Sequence, residues 1–185
     1  VISIHTKILG DSFFVLKMFP LLIYVLIGFA IYKLCLQLSF NKKDSIVCSI
    51  SFLVIPAASV SSFLISTDLL LLLFWTLSMI KLLEIRNSTS IYNFFLLGLF
   101  LGFAFLSKYA AIYFLISSII LLFIDKKTFM VLKNNFFGVF VFFLTVLIVL
   151  LPNIYWNINN GWVTLSHTAD NANLNNLNLN FNEPL

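Results

Sequence analysis

Between Phe19 and Leu151 the sequence is a succession of apolar stretches broken only by short polar connections. A helix that crosses a bilayer needs roughly 20 such residues, and six stretches approach that length: 19–38, 46–65, 69–83, 91–106, 109–124 and 129–151. Only 10% of the 185 side chains are charged, against 61% hydrophobic, whereas soluble domains carry about 25% charged residues. So few charges cannot solvate a globule of this size. A water-soluble enzyme is excluded, and so is disorder outside about the last thirty residues. The expected architecture is all-α: a polytopic transmembrane helix bundle of about six spans.

Other classes fall away quickly. Cys35 and Cys48 lie in or beside apolar runs with no C-x-x-C and no nearby His, so neither a disulfide framework nor a metal site is supported. The net charge of +4 is scattered, with no polybasic block, which argues against nucleic acid as a partner. The chain starts at Val1 and stops inside a polar stretch, so both ends read as cut. Pro20 is expected in the first turn of its helix, where its missing N–H costs nothing, and Pro56 predicts a kink or break in the second span.

The stretch 91–124 could be one helix or two. A single helix would run about 50 Å at 1.5 Å per residue, against a hydrocarbon core of roughly 30 Å. It would also bury Lys108 near the midplane, at a cost of several kcal/mol. Two helices meeting at Lys108 resolve both conflicts, although no Gly or Pro marks the turn. Lys33, Lys42, Lys43, Lys81, Arg86, Lys126, Lys127 and Lys133 then share one side, leaving Lys7, Lys17 and Lys108 on the other. The positive-inside rule makes the first group cytoplasmic. Residues 1–12, Ser66-Thr67-Asp68, Lys108 and everything after Pro152 fall on the outer face. The expected division is a bundle over 1–151 and the start of an outer loop over 152–185. That tail has no Lys or Arg and seven Asn between Asn171 and Asn182.

Three places could carry chemistry. Asp68 opens the third span. It can serve as part of a helix start, where a carboxylate suits the dipole, or as a membrane-boundary acid that orients a sugar hydroxyl or assists proton transfer. Lys108 can snorkel to the interface or fix an ammonium at headgroup depth to hold a lipid-linked phosphate, with the Ser107 and Tyr109 hydroxyls beside it. Tyr155, Trp156 and Trp162 suit an aromatic belt, yet with Asn157 they also form a sugar platform. His167 follows in the loop, where a solvated histidine is the ordinary outcome, as for His5. Gly98-x-x-x-Gly102 reads as a helix-packing motif. Asn87-Ser88-Thr89 matches the N-glycosylation pattern but falls on the cytoplasmic side.

Read in order, these passages resemble one family. Ser66-Thr67-Asp68 through Phe74-Trp75 resembles its "TD-apolar-FW" span. Gly98 through Ala110, ending in Leu106-Ser107-Lys108-Tyr109-Ala110, is similar to its "L-S-K-Y" hairpin. Pro152-Asn153 through Trp156-Asn157, Gly161-Trp162 and His167 resembles its exit from the membrane, and Gly10-Asp11-Ser12 through Pro20 resembles the passage after its first outer loop. The family is the glycosyltransferase 39 group of the GT-C fold, the dolichyl-phosphate-mannose protein mannosyltransferase-like enzymes. Its bacterial members include lipid A aminoarabinose transferases.

The resemblance implies transfer of a sugar from a polyprenyl-phosphate donor to a glycan, lipid or protein acceptor, at the periplasmic face of a bacterial inner membrane. It implies that Lys108 holds the donor phosphate, that Asp68 belongs to the site wall, and that Trp156, Asn157 and Trp162 border the sugar pocket. Tyr109 and His167 are further substrate-binding candidates. The family's catalytic carboxylate belongs to an Asp-Glu pair before a Pro-Pro segment, and neither exists in this chain, so the catalytic residue is unassigned. A divalent metal in the intact enzyme is left open. Family members run to several hundred residues, so the chain is expected to be a fragment of one. The competing readings are an inactive remnant of such an enzyme and a transporter bundle, for which Pro56 is the one hint.

Overall fold

The computed structural model describes residues 13–61, 66–164 and 166. Among them the chain is helical and has no strand. Apolar runs of this length demand that outcome in lipid, where each backbone polar group must be satisfied within its own segment. Contacts divide the chain into two compact units, Val1–Val149 and Leu150–Leu185.

The first helix, α1, runs Phe13–Gln37 and so begins before the expected boundary. Phe13, Phe14, Val15, Leu16 and Met18 continue its apolar sequence, with Lys17 the one charged interruption. Pro20 is therefore buried inside α1 and not in its first turn, and the Leu16 carbonyl loses its helical donor. The second apolar stretch does break at its proline, into α2 (Lys42–Val54) and α3 (Pro56–Ser61). The Asn41 side chain caps α2 by accepting from the Asp44 N–H at 2.8 Å. At the break, the Tyr24 hydroxyl of α1 donates to the Leu53 carbonyl at 2.7 Å, supplying a partner where the helix ladder stops.

Then follow α4 (Thr67–Asn87), α5 (Ile91–Ser107), a 3-10 turn (Tyr109–Ala111) and α6 (Ile112–Ile124). The last two are α7 (Lys126–Asn134) and α8 (Phe136–Asn159). By length and composition, two described helices suffice to cross a membrane, Met18–Gln37 and Phe136–Asn159. A third qualifies if α6 with its 3-10 turn and α7, bent by 105° against each other, count as one broken span. α5 is apolar but has 17 residues, and α4 is long enough but carries Lys81, Glu84 and Arg86 near its end. The sixth stretch starts later than expected, because 129–134 belongs to the separate helix α7. It also ends later, with Pro152 inside α8 and the helix continuing to Asn159.

In the first unit α4 lies between α1 and α5. Ile23, Tyr24 and Ile27 of α1 bury against Leu69, while Ile85 joins Phe94, Leu97 and Leu101 of α5 with Phe114 and Phe142. The paired glycines of α5 do what their spacing implied. A Cβ at Gly98 would stand 2.6 Å from the Phe142 carbonyl oxygen, and one at Gly102 would stand 2.8 Å from Val149 Cβ. Without a hydrophobic drive between helices in lipid, such close backbone approach is what holds them together.

The hairpin reading of 91–124 is met directly. Arg86 precedes α5 and Asp125 follows α6, yet Arg86 Nε stands 2.7 Å from Asp125 Oδ2. One straight helix over 91–124 would hold its two ends about 50 Å apart. The turn uses no glycine because Lys108 takes an extended backbone (φ −161°, ψ 137°). The Arg86 guanidinium and the Thr128 hydroxyl, bonded to Asp125, hold its carboxyl well below the usual carboxylate range. Near the same end of α4, Glu84 accepts from Lys81 at 2.6 Å and from Gln37 at 3.0 Å.

Candidate functional site at the Asp68 end of α4

Ser66 is the N-cap of α4, and its hydroxyl accepts from the Asp68 N–H at 3.0 Å. The same hydroxyl donates to Asp68 Oδ2 at 3.0 Å, so one short segment both starts the helix and fixes the acid. The other oxygen, Oδ1, receives Lys108 Nζ at 2.6 Å. The structural role of Asp68 as part of the helix start and its place beside Lys108 therefore hold together. Both side chains stay half exposed, at 53% and 50%, so the pair is accessible from solvent.

The hydrogen bonds from Lys108 and Ser66 hold the Asp68 carboxyl below its usual range. The ammonium has three donors, of which Asp68 takes one. The pair is thus a positioned cation with N–H groups left for an anion. Ser107 spends its hydroxyl on the Phe103 carbonyl at 2.8 Å, while Tyr109 opens the 3-10 turn, half-buried.

Beside this pair lies a cavity of about 580 Å³. Phe19 and Ile23 of α1, Leu69 and Phe74 of α4 and Phe103 and Leu106 of α5 form its walls, and Ser66, Thr67 and Ser107 add hydroxyls. The volume suits a small-molecule site, which is mostly apolar with a few placed polar groups. The contribution of α1 was not legible beforehand, since nothing in Phe19-Pro20 or Ile23 marks a binding wall. No three His, Cys, Asp or Glu converge among the described residues. Asp68, already neutralised by an ammonium, is a weak start for a divalent cation, which takes several oxygen ligands.

The second unit holds the aromatic residues. Trp156 and Trp162 are exposed, but Asn157 is buried to 2%. Its amide donates to the Asn153 carbonyl at 2.9 Å, and its Oδ1 accepts from the Thr164 hydroxyl. The Asn157 carbonyl accepts from the Trp162 N–H at 2.9 Å, which closes a turn with Gly161 and Trp162 both at positive φ (66° and 58°). A left-handed tryptophan is unfavourable, and this network holds it there. His167 lies outside the described residues, as does His5.

A helical membrane bundle with an ion pair next to an apolar cavity, which Thr67, Leu69 and Ser107 line but their chain neighbours Asp68 and Lys108 do not, is the frame on which the comparisons fall. The family model for dolichyl-phosphate-mannose-protein mannosyltransferase matches residues 1–156, and the chain belongs to that family. Among curated proteins it is similar to lipid A galacturonosyltransferase RgtD of Rhizobium johnstonii, with 27% identity over 135 residues, 73% of this chain. The match covers 28% of that relative, so the chain spans less than a third of its length. No solved structure matches the chain.

Proposed function

We propose that this chain is the donor-binding part of an integral membrane glycosyltransferase of the GT-C type. The whole enzyme moves a sugar from a polyprenyl-phosphate donor to a lipid, glycan or protein acceptor at the outer, periplasmic face. One observation carries the reading: the Lys108 ammonium, oriented by Asp68, stands beside a 580 Å³ apolar cavity. An isoprenoid phosphate has that polarity, an oil-soluble tail ending in a fixed charge. Asp68 and Ser66 act as positioning residues that hold the ammonium, Lys108 binds the phosphate, and Tyr109 borders the headgroup. As the glycosidic bond to the phosphate breaks, the charge left on the leaving group is what the ammonium stabilises.

Asp68, committed to the Lys108 ammonium, is assigned to positioning and not to general-base chemistry. In the second unit, the exposed faces of Trp156 and Trp162 are suited to stack on a sugar ring, with Asn157 fixing the turn that carries Trp162. Residues 1–151 are assigned to the bundle and 152–185 to the start of the outer loop, His167 included. The membrane-boundary placement of both charges favours this reading over a transporter, whose ionisable groups lie near the midplane. The test is sugar transfer in membranes containing the full protein, with polyprenyl-phosphate-linked sugars as donors. Lys108→Ala should raise the donor KM; undiminished transfer at low donor concentration would sink the assignment.

A further inference from the structure

The opposite end of α4 carries a second cavity, of about 520 Å³, enclosed by α5, α6, α7 and α8. Its lining is apolar, with Leu97, Phe114, Leu122, Phe129 and Leu132 prominent, and Lys133 contributes the charge. The helix α7 that closes one side is sharply amphipathic and turns by 105° from α6, the geometry of a helix lying along a membrane surface. It is pinned in place. Thr128, exposed by only 1%, donates to Asp125 Oδ2 at 2.6 Å, and Lys127 Nζ donates to Asn87 Oδ1 at 3.1 Å.

That arrangement leaves two cations over. Lys126 and Lys133 are seven residues apart, on one face of α7, and both are exposed. Neither pairs with a carboxylate among the described residues, because Asp125 is taken by Arg86 and Glu84 by Lys81. Between them Phe129 and Met130 are exposed, and Phe123 and Phe136, flanking α7, are the most exposed large apolar side chains among the described residues, at 85% and 80%. Unpaired ammoniums above exposed aromatics at the rim of an apolar cavity match the two halves of one kind of molecule.

We infer that this cavity and the basic face of α7 bind an anionic phospholipid, with an acyl chain in the cavity and the headgroup phosphate on Lys133 and Lys126. Leu82, the α4 residue that lines this cavity, is about 21 Å along the helix from Asp68, so the site serves the other leaflet and does not depend on the chain transferring a sugar.

Native mass spectrometry of the purified full protein with phosphatidylglycerol and with phosphatidylcholine tests the inference. Wild type should retain phosphatidylglycerol well above phosphatidylcholine. Each basic residue near an anionic lipid surface is worth about a fivefold gain, so Lys126→Ala with Lys133→Ala should cut phosphatidylglycerol retention about 25-fold. Phosphatidylcholine retention should stay unchanged, and Lys126→Arg with Lys133→Arg should restore the preference. Equal retention of the two lipids by wild type, as when another helix of the longer protein fills the cavity, would overturn it. So would a double alanine variant that holds phosphatidylglycerol as well as wild type does.

Discussion

Lys108 Nζ and Asp68 Oδ1, forty positions apart in the chain, meet at 2.6 Å. The contact joins the turn after α5 to the first turn of α4, and it fixes an ammonium that would otherwise sample many rotamers. Its half-exposed setting limits what it adds to folding, since exposed pairs contribute about 0–1 kcal/mol. The value of the contact lies in orientation.

Replacing Lys108 should therefore separate function from stability. Lys108→Ala removes a charge-assisted hydrogen bond to the donor phosphate, worth about 1.5–3 kcal/mol, so the donor KM should rise roughly 10- to 150-fold. The melting temperature in detergent should move little. Steady-state transfer assays beside thermal melts check both halves, and a large stability loss with an unchanged KM would count against the phosphate role.

The acid gives a pH prediction with a definite sign. Asp68 has its pKa lowered by Lys108 and Ser66, so its stabilising share is full above the unfolded value near pH 4 and is lost as pH falls through the folded value. The stability difference between wild type and Asp68→Asn should be flat from about pH 5 to 8 and shrink under acid. Melts across that series measure it. A difference that grew on acidification would contradict the ion pair.

Packing of α5 on α8 rests on Gly98 and Gly102 of α5 and Gly138 of α8. Gly98→Ala drives a Cβ to 2.6 Å from the Phe142 carbonyl oxygen, and backbone cannot swing aside as a side chain can. Overpacking of this kind costs about 1–3 kcal/mol, against a gain of up to about 1 kcal/mol in helix propensity. The expected net result is a lower melting temperature. An unchanged or higher one would show that the two helices separate freely.

The hairpin can be tested through its closing pair. Arg86→Asp and Asp125→Arg should each lower stability, and the double exchange should recover part of the loss, with a coupling of about 0.2–1 kcal/mol. Absence of any coupling in the double-mutant cycle would mean that the two ends do not meet.

Much of this was readable from the chain itself because burying charge in lipid is expensive. The cost of Lys108 at the midplane dictated the turn, and Ser66 before Asp68 dictated the start of α4. Other features depend on tertiary partners. Asp68 and Lys108 could be assigned to one boundary, but their direct contact needs α4 and α5 to pack. The start of α1 was missed because Lys17 interrupts an otherwise apolar sequence, which moved Pro20 from a first turn to the helix interior. The separation of α7 from α8 was missed because only Asn135, and no Gly or Pro, marks it. Asn157 reads as bordering a sugar pocket, and its burial was not legible, because it depends on Gly161 and Trp162 folding back and on Thr164 bonding its amide oxygen.

The two ion pairs also set a gauge for α4. Asp68 and Arg86 sit near its two tips, and each is committed to a different place in the hairpin that follows. One residue inserted between them would rotate one tip by about 100° and push it 1.5 Å further out, so Lys108 and Asp125 could no longer both be reached. Substitutions along that rod are negotiable; a change in its length is not.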